Sequence, residues 1–514
     1  MPGWRALMHI GGATRTRMEN KTRILIVTDS PVLPSGMAET TRLIFSTLLD
    51  CHPDQYELHQ VGLFHCYAVT QARWPIYPTQ AARGPDGQTR FVPEDKYGQR
   101  TFPKCAARVQ PDIVFGYGEP QRVAHLCVPH SARKYRLVLY VNFDGLPVPA
   151  SYCAPLRNAD LIFTKSEFSL EVLASVLPDY PRDRLGYVYS PADTERFVPL
   201  DAPSRADLRK DLFPPWMPPN AFVLGWVGRN QWRKQSWLPY KVIHHLRSGD
   251  YLACESCGRV TVVEWDPIRQ QCGRYPRSFS EASRSQEYRG HASELPCSHC
   301  GSARARRADP MPEAFLWLHM PEEPDEAWPV QLLEQQFGLK RGRDIHYTEG
   351  HGIKAGLAPA DMPALYNLWD ALLYLSGGEG FGLPAWEAIC CALPVIYTDY
   401  SSHAEFLGRA NAGLPVGGIL QPEKETCIWR MIADIGQVLD NVRKLISEPT
   451  LGMRLGASGR AFASRFALEA QAERWHKVFQ GLLRCEQSSG FGGGLDDRDR
   501  RNRVLKELDD SEVC

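Results

Sequence analysis

The sequence predicts an α/β chain of two Rossmann-like, doubly wound halves, with a small cysteine-bearing module inserted in the second. Three observations predict it. Residues 23–28 (RILIVT) form a buried-strand pattern, followed by a turn-rich loop and an amphipathic helix. The same strand–loop–helix opening recurs at residues 221–228 and 237–247. More than sixty residues then pass before the next strand, too many for a helix–strand connection, and two CxxC pairs lie among them.

Taken in order, residues 1–20 lack a secretory apolar core and are expected to be a disordered extension. The first half is expected over 21–199. Its loop runs over 29–36, its first helix over 37–49, and further strands over 60–64, 113–116, 137–141 and 161–164. Alternating strands and helices imply a mainly parallel sheet. Residues 200–219 are proline-rich and read as a linker. The second half is expected over 220–485. It has strands at 221–228, 314–319, 371–375 and 394–397, then helical patterns to about residue 485. The inserted module occupies 249–308. Residues 486–514, with GFGGG and mixed charges, read as a disordered tail.

With 514 residues, 43% of them apolar, the chain can bury two or three cores. Its formal net charge of zero supplies no global pull toward nucleic acid or anionic membrane. No apolar run approaches a membrane span. Four of the fifteen cysteines pair as CxxC, and the others sit among apolar neighbours, as buried thiols do. A reducing compartment, the cytoplasm, is the expected location.

The most informative stretch is EGFGLPAWE, a glycine turn with Glu379 and Glu387 at its ends and seven residues between them. A buried strand precedes it and a helix follows. In such a unit the turn N–H groups and the positive helix end face a ligand at the carboxyl edge of the sheet, where phosphate binds readily. Carboxylates there suit neutral hydroxyls. A sugar nucleotide offers both a pyrophosphate and hydroxyls. The pattern EGFGLPxxEA resembles the donor signature of the retaining family-4 glycosyltransferases, which have the GT-B fold. The plain alternative is a strand–helix turn with two surface glutamates. The resemblance covers about residues 22–250 and 309–485, and it implies that 21–199 is the acceptor domain and 220–485 the sugar-nucleotide donor domain.

Gly228 to Lys234 (GRNQWRK) sets arginine and lysine at the carboxyl end of a strand, which suits a diphosphate. It resembles the family's phosphate-gripping element, which implies Arg229 and Lys234 as donor-phosphate residues, with Arg233 as a substitute. Gly36 would let backbone approach the phosphate. The resemblance assigns Glu379 to the sugar hydroxyls, Gly380, Phe381, Gly382 and Leu383 to sugar and phosphate through the backbone, and Glu387 to the ribose. His351 stands in the segment 350–353, where the family stacks and hydrogen-bonds the nucleotide base. Asn142 and Asp144 stand where many members carry a histidine near the sugar. Asp144 is the candidate base for the acceptor hydroxyl, or else a turn cap. Glu405 matches a common family glutamate or is a surface helix carboxylate. The catalytic set is therefore Asp144, Arg229, Lys234 and Glu379. The resemblance implies a UDP- or GDP-linked sugar as co-substrate, retention of configuration, and no catalytic metal.

Cys254 and Cys257 form one CxxC knuckle, and Cys297 and Cys300 the other, 39 residues on, each followed by glycine. Four thiolates suit tetrahedral structural zinc and leave no open position for catalysis; a disulfide pair is the alternative. From Cys254 to Arg307 there are nine Arg and no Lys against six Asp and Glu. Arg304, Arg306 and Arg307 cluster after the second knuckle, a basic patch or a solvated rim.

The expected activity is transfer of a hexose, glucose, from a nucleotide sugar to an acceptor hydroxyl. The loops at 28–36 and 144–147 resemble those of bacteriophage transferases, some of which glucosylate hydroxylated bases in DNA. With the basic module, this points to a hydroxymethylated pyrimidine in DNA as acceptor. Saccharide, lipid and protein acceptors are the alternatives. A reading of another class is a non-catalytic nucleic-acid or protein-binding module on a transferase scaffold. A pyridoxal phosphate-dependent phosphorylase ranks last, for want of a cofactor-lysine context.

Overall fold

The structure, a computed structural model, describes residues 21–67, 69, 72–83, 89–266, 271–274, 297, 299–302, 305–322, 328–348, 357, 360–424 and 426–487. The expected N-terminal extension and nearly all of the expected tail lie outside these residues. The chain divides into two compact units. One comprises Met1–Tyr140, Pro155–Ile162 and Ala472–Cys514, the other Val141–Ala154 and Phe163–Gln471. Residues 142–145 and 163–199, read from sequence as part of the first half, group with the second unit.

A seven-stranded sheet carries Ile76–Pro78, Tyr56–Leu63, Thr22–Asp29, Ile113–Gly118, Arg136–Val141, Leu161–Thr164 and Leu185–Tyr187 in that spatial order. Numbered along the chain the order is 3-2-1-4-5-6-7, a doubly wound pattern. Thr22–Asp29 pairs in parallel with both neighbours. Its residues from Ile24 onward are buried, so it reads as an unbroken apolar run. The strand expected at 60–64 begins instead at Tyr56, because Glu57 and His59 interrupt its apolar pattern. In the first unit, Phe45 on the helix Gly36–Cys51 stacks on Phe479, with ring centroids 6.3 Å apart. Trp475 meets Phe115 and Tyr140 edge-on, at 5.2 Å each.

In the second unit a six-stranded sheet runs Ile345–Tyr347, Ala314–His319, Phe222–Val227, Ala371–Tyr374, Val395–Thr398, Gly413–Val416. Every neighbouring pair is parallel. The chain order is 3-2-1-4-5-6, so the direction of winding reverses between Phe222–Val227 and Ala371–Tyr374.

Residues 200–219, expected as a linker, contain the helix Ala202–Leu212. Asp201 caps it by accepting from Ser204 N–H at 2.8 Å, and Arg205 and Arg209, one turn apart, both pair with Asp370. The chain is not wholly helical after residue 398. Gly418–Pro422 and Trp429–Ala433 form an antiparallel hairpin before the helices Ile435–Ser447 and Pro449–Ser464. Gly418–Pro422 is exposed at every position, so it has no buried face to leave an alternating pattern.

The inserted module has a four-stranded antiparallel sheet in the order Gln271–Arg274, Val260–Asp266, Tyr251–Cys254, Ala305–Arg307. Val260 N–H donates to Asp440 on helix Ile435–Ser447 at 2.9 Å, which ties the module to the body of the unit.

Candidate active site

The two sequence motifs follow the two strands that flank the reversal in sheet order. Leu224 and Gly225 stand in register with Ala371 and Leu372, so both loops open at the same carboxyl edge. That is where ligands bind in open parallel sheets.

At this edge Glu379 is buried, at 5% exposure. Its Oε1 accepts from Lys234 Nζ, and its Oε2 lies 3.0 Å from Arg233 Nη1. The short helical turn Trp232–Lys234 carries both cations to one carboxylate. Arg233 also donates to the Gly378 carbonyl at 3.2 Å, and Glu379 N–H donates to Ser401 Oγ at 2.9 Å. Burial alone would raise the Glu379 pKa, but Lys234 and then Arg233 hold it well below the usual carboxylate range. Burial pushes Lys234 down to about 8, against the pull of Glu379. His403, wholly buried beneath the loop, is pushed down to about 4 by burial and faces Thr398 Oγ1 at 3.0 Å.

Asp144 joins the cluster from the loop after Arg136–Val141. Its Oδ1 is 3.1 Å from Arg430 Nη1 and its Oδ2 is 3.8 Å from Arg233 Nε. Arg430 also donates to the Asp144 carbonyl at 2.9 Å and meets Glu423 at 3.0 Å. The glycine loop packs against this segment so closely that side chains are excluded. A Cβ at Gly378 would lie 2.0 Å from the Asp144 carbonyl oxygen, and one at Gly380 would lie 2.4 Å from Asn142 Nδ2. Asn142 Oδ1 is buried beside this loop and makes no hydrogen bond with the described residues.

Gly382, at φ +110°, turns the chain into the helix Leu383–Cys390. Phe381 is buried, with Lys165 Nζ 5.1 Å from its ring centroid. Burial pushes Lys165 down to about 7. Glu387 lies on the helix and accepts from Tyr366 Oη at 2.7 Å.

Thus the structure brings together Asp144, Lys234, Glu379 and the signature backbone. It also places Arg233, the substitute, beside them; Arg229 is exposed two residues past the strand Phe222–Val227. His351 lies outside the described residues. Gly36 begins its helix in the first unit, where Ser35 Oγ caps it by accepting from Ala38 N–H at 3.2 Å. Glu405 has a different occupation. It accepts from the Glu167 and Phe168 N–H groups at 3.1 and 2.7 Å and from Tyr189 Oη at 2.5 Å, so it caps the helix Glu167–Val176. Sequence reasoning missed Arg430 and Lys165. No motif marks either, because Arg430 reaches Asp144 across 286 positions.

The four knuckle cysteines bring their sulfur atoms within 4.8 Å of one another. Cys254 and Cys300 Sγ lie 3.6 Å apart, as do Cys257 and Cys297. Tetrahedral zinc with bonds of about 2.3 Å needs sulfurs about 3.8 Å apart, so the set fits that ion. The two knuckles match in backbone. Gly258 N–H donates to Cys254 O and Gly301 N–H to Cys297 O, at 2.8 and 2.9 Å. Both glycines have positive φ, +71° and +72°. Arg306 pairs with Glu255 and Arg307 with Asp250, while Arg304 lies outside the described residues.

Residues 347–423 match the family described as Glycosyl transferases group 1. A D-inositol 3-phosphate glycosyltransferase of Corynebacterium jeikeium is 26% identical over 153 residues, 30% of this chain and 31% of that protein. The serotype-specific mannosyltransferase WbdA of Escherichia coli is 24% identical over 187 residues, 36% of this chain and 20% of that one. The chain therefore spans less than a third of the length of these relatives. Among solved structures, sucrose-phosphate synthase from Thermosynechococcus elongatus superposes with a TM-score of 0.61 at 14% identity, covering 90% of this chain and 99% of that one. Anabaena Alr3699/HepE, solved with UDP-glucose, superposes with a TM-score of 0.57 at 13% identity, over 89% and 99%. The fold is GT-B, with a parallel sheet in each Rossmann-like half. Among the described residues no helix is long and apolar enough to cross a membrane.

Proposed function

We propose that the chain is a retaining glycosyltransferase that moves glucose from UDP-glucose to an acceptor hydroxyl. The observation that carries this reading is the buried Glu379 held by the half-buried Arg233 and Lys234 at the reversal point of the sheet. A carboxylate flanked by two cations matches a ligand with hydroxyls on one side and a diphosphate on the other. A non-catalytic scaffold has no need to bury a carboxylate against two half-buried cations at a sheet edge, where burial costs desolvation.

In the proposed step the C1–O bond to the β-phosphate breaks and its electron pair stays on UDP. The acceptor oxygen bonds C1 from the same face, and its proton passes to the departing phosphate oxygen. Lys234 and Arg233 stabilise the charge that grows there, a contribution of roughly 3 kcal/mol for a well-placed donor. Glu379 holds sugar hydroxyls and Glu387 the ribose. Asp144, set by Arg430, accepts a hydrogen bond from the acceptor hydroxyl and orients it. Zinc held by Cys254, Cys257, Cys297 and Cys300 is structural in this reading. Because Arg306 and Arg307 are already paired with carboxylates, the basic cluster gives little support to a DNA acceptor, and a hydroxymethylated pyrimidine enters below as an outcome of the acceptor test. Titration calorimetry with UDP and GDP, together with glucose release from UDP-glucose and GDP-glucose, tests the proposal. UDP binding with slow glucose release is the expected result. Absence of both nucleotide binding and sugar release would overturn it.

A further inference from the structure

A cavity of about 480 Å³ lies in the second unit between the inserted module, the hairpin and the turn that carries the phosphate cations. Val260, Thr261 and Val262 of the module form one wall, and Gly418, Ile419 and Gln421 of the hairpin another. Trp232, Trp237 and Trp328 supply an aromatic side. Trp232 stacks on Trp328 with ring centroids 4.9 Å apart and planes at 26°, and remains 48% exposed. Arg233, which binds Glu379, also lines this cavity, so cavity and donor cluster share a wall.

The rest of the lining is mixed: Lys241, Gln421, Asp434 and Gln437 bring donors and acceptors beside the apolar Val262 and Ile419. A hydroxyl answers either kind. A lipid chain would cover these polar groups and gain nothing from them. A polyanion finds little net charge to meet, because Arg233 and Arg430 already face Glu379, Asp144 and Glu423, and the lining sets Asp434 against Lys241. A pyranose ring has an apolar C–H face for the tryptophan platform and hydroxyls for the edges.

We infer that this cavity is a saccharide subsite for the acceptor, which rests on the transferase reading above. A glycan seated there shares the Arg233 wall with the donor, and Arg430 links it to Asp144. The two segments that build its walls, the module and the hairpin, are those whose roles the donor chemistry leaves unexplained.

The test titrates methyl α- and β-glucopyranoside, methyl α-mannopyranoside and maltotriose into the full chain, following tryptophan fluorescence, with UDP affinity measured alongside. At least one glycoside should quench saturably. Trp232→Ala, which removes the platform, and Ile419→Trp, which fills the cavity from the hairpin, should each weaken that binding about tenfold or more, with UDP affinity changed less than about twofold. If Trp232→Ala also loses UDP, its turn has been disturbed, and Ile419→Trp decides. No quenching by any glycoside, or equal quenching in Ile419→Trp, would overturn the saccharide subsite while UDP binding leaves the transferase reading standing. Saturation instead by a single strand containing 5-hydroxymethylcytosine, lost in Ile419→Trp, would overturn it in favour of a base. Loss of UDP binding in the wild type strikes the transferase reading itself.

Discussion

Arg233 Nη1 lies 3.0 Å from Glu379 Oε2, so a residue assigned to phosphate and a residue assigned to sugar hydroxyls hold each other before a donor arrives. An entering diphosphate competes with Glu379 for both cations. Arg233→Ala and Lys234→Ala should each lower kcat/KM for UDP-glucose about tenfold or more, equivalent to roughly 1.4 kcal/mol. Arg229→Ala, at the exposed end of the strand, should cost less than Arg233→Ala. Steady-state kinetics decide the order, and a larger loss at Arg229 would move the clamp to the mouth of the loop.

Lys234 sets a pH limit. With its pKa pushed down to about 8, the free enzyme loses the cation as pH rises through that value. The profile of kcat/KM should fall above about pH 8. In the donor complex the phosphate favours the charged amine, so the limb in kcat should lie higher. Lys234→Arg should retain activity on the alkaline side, since guanidinium stays charged. A flat profile to pH 10 in the wild type would contradict the assignment.

Gly380→Ala drives a methyl to within 2.4 Å of Asn142 Nδ2. The loop and the 142–145 segment must then separate, at a cost of roughly 1–3 kcal/mol. Both the melting temperature and kcat should drop. An unchanged Tm with normal turnover would show that the two segments are not in contact in solution.

Glu405→Gln separates a cap from a catalyst. The carboxylate holds two N–H groups and Tyr189, so its loss should cost roughly 1–3 kcal/mol of stability. Donor KM should stay within about twofold of wild type. A KM effect without a stability effect would restore a donor role.

The purified chain should hold one zinc, measured by inductively coupled plasma mass spectrometry after reducing purification. Cys257→Ser should release it and expose the module to protease, while UDP affinity persists. Metal-free protein with an intact module would remove the zinc reading.

Much of the fold was legible because parallel strands buried on both faces leave continuous apolar runs. Residues 161–164 and 314–319 coincide with the strands Leu161–Thr164 and Ala314–His319. The signature was legible for a local reason: strand, turn and helix lie within one stretch of chain. What escaped were distant pairings and exposed elements. Arg205 and Arg209 looked like linker charges until Asp370 stood opposite them. The resemblance put Arg229 ahead of Arg233, and no sequence signal showed that the helical turn at Trp232–Lys234 carries Arg233 to Glu379. The first strand of the hairpin, Gly418–Pro422, had no buried face to betray it, so neither Arg430 nor the cavity behind it left a trace in the sequence.

Trp475 and Phe479 complete the first unit's core from nearly the far end of the chain. On the ribosome, therefore, the first 140 residues emerge without the side chains that cover Phe45, Phe115 and Tyr140. They must wait through synthesis of some three hundred further residues, roughly 15–60 s at ordinary elongation rates. Chaperone occupancy should thus be high over the first unit until the helix Leu468–Gln487 is released. Arrested nascent chains cut after residue 465 should stay protease-sensitive in that unit, whereas chains released at residue 487 should not. Equal protection in both would show that the first unit matures without its last helix.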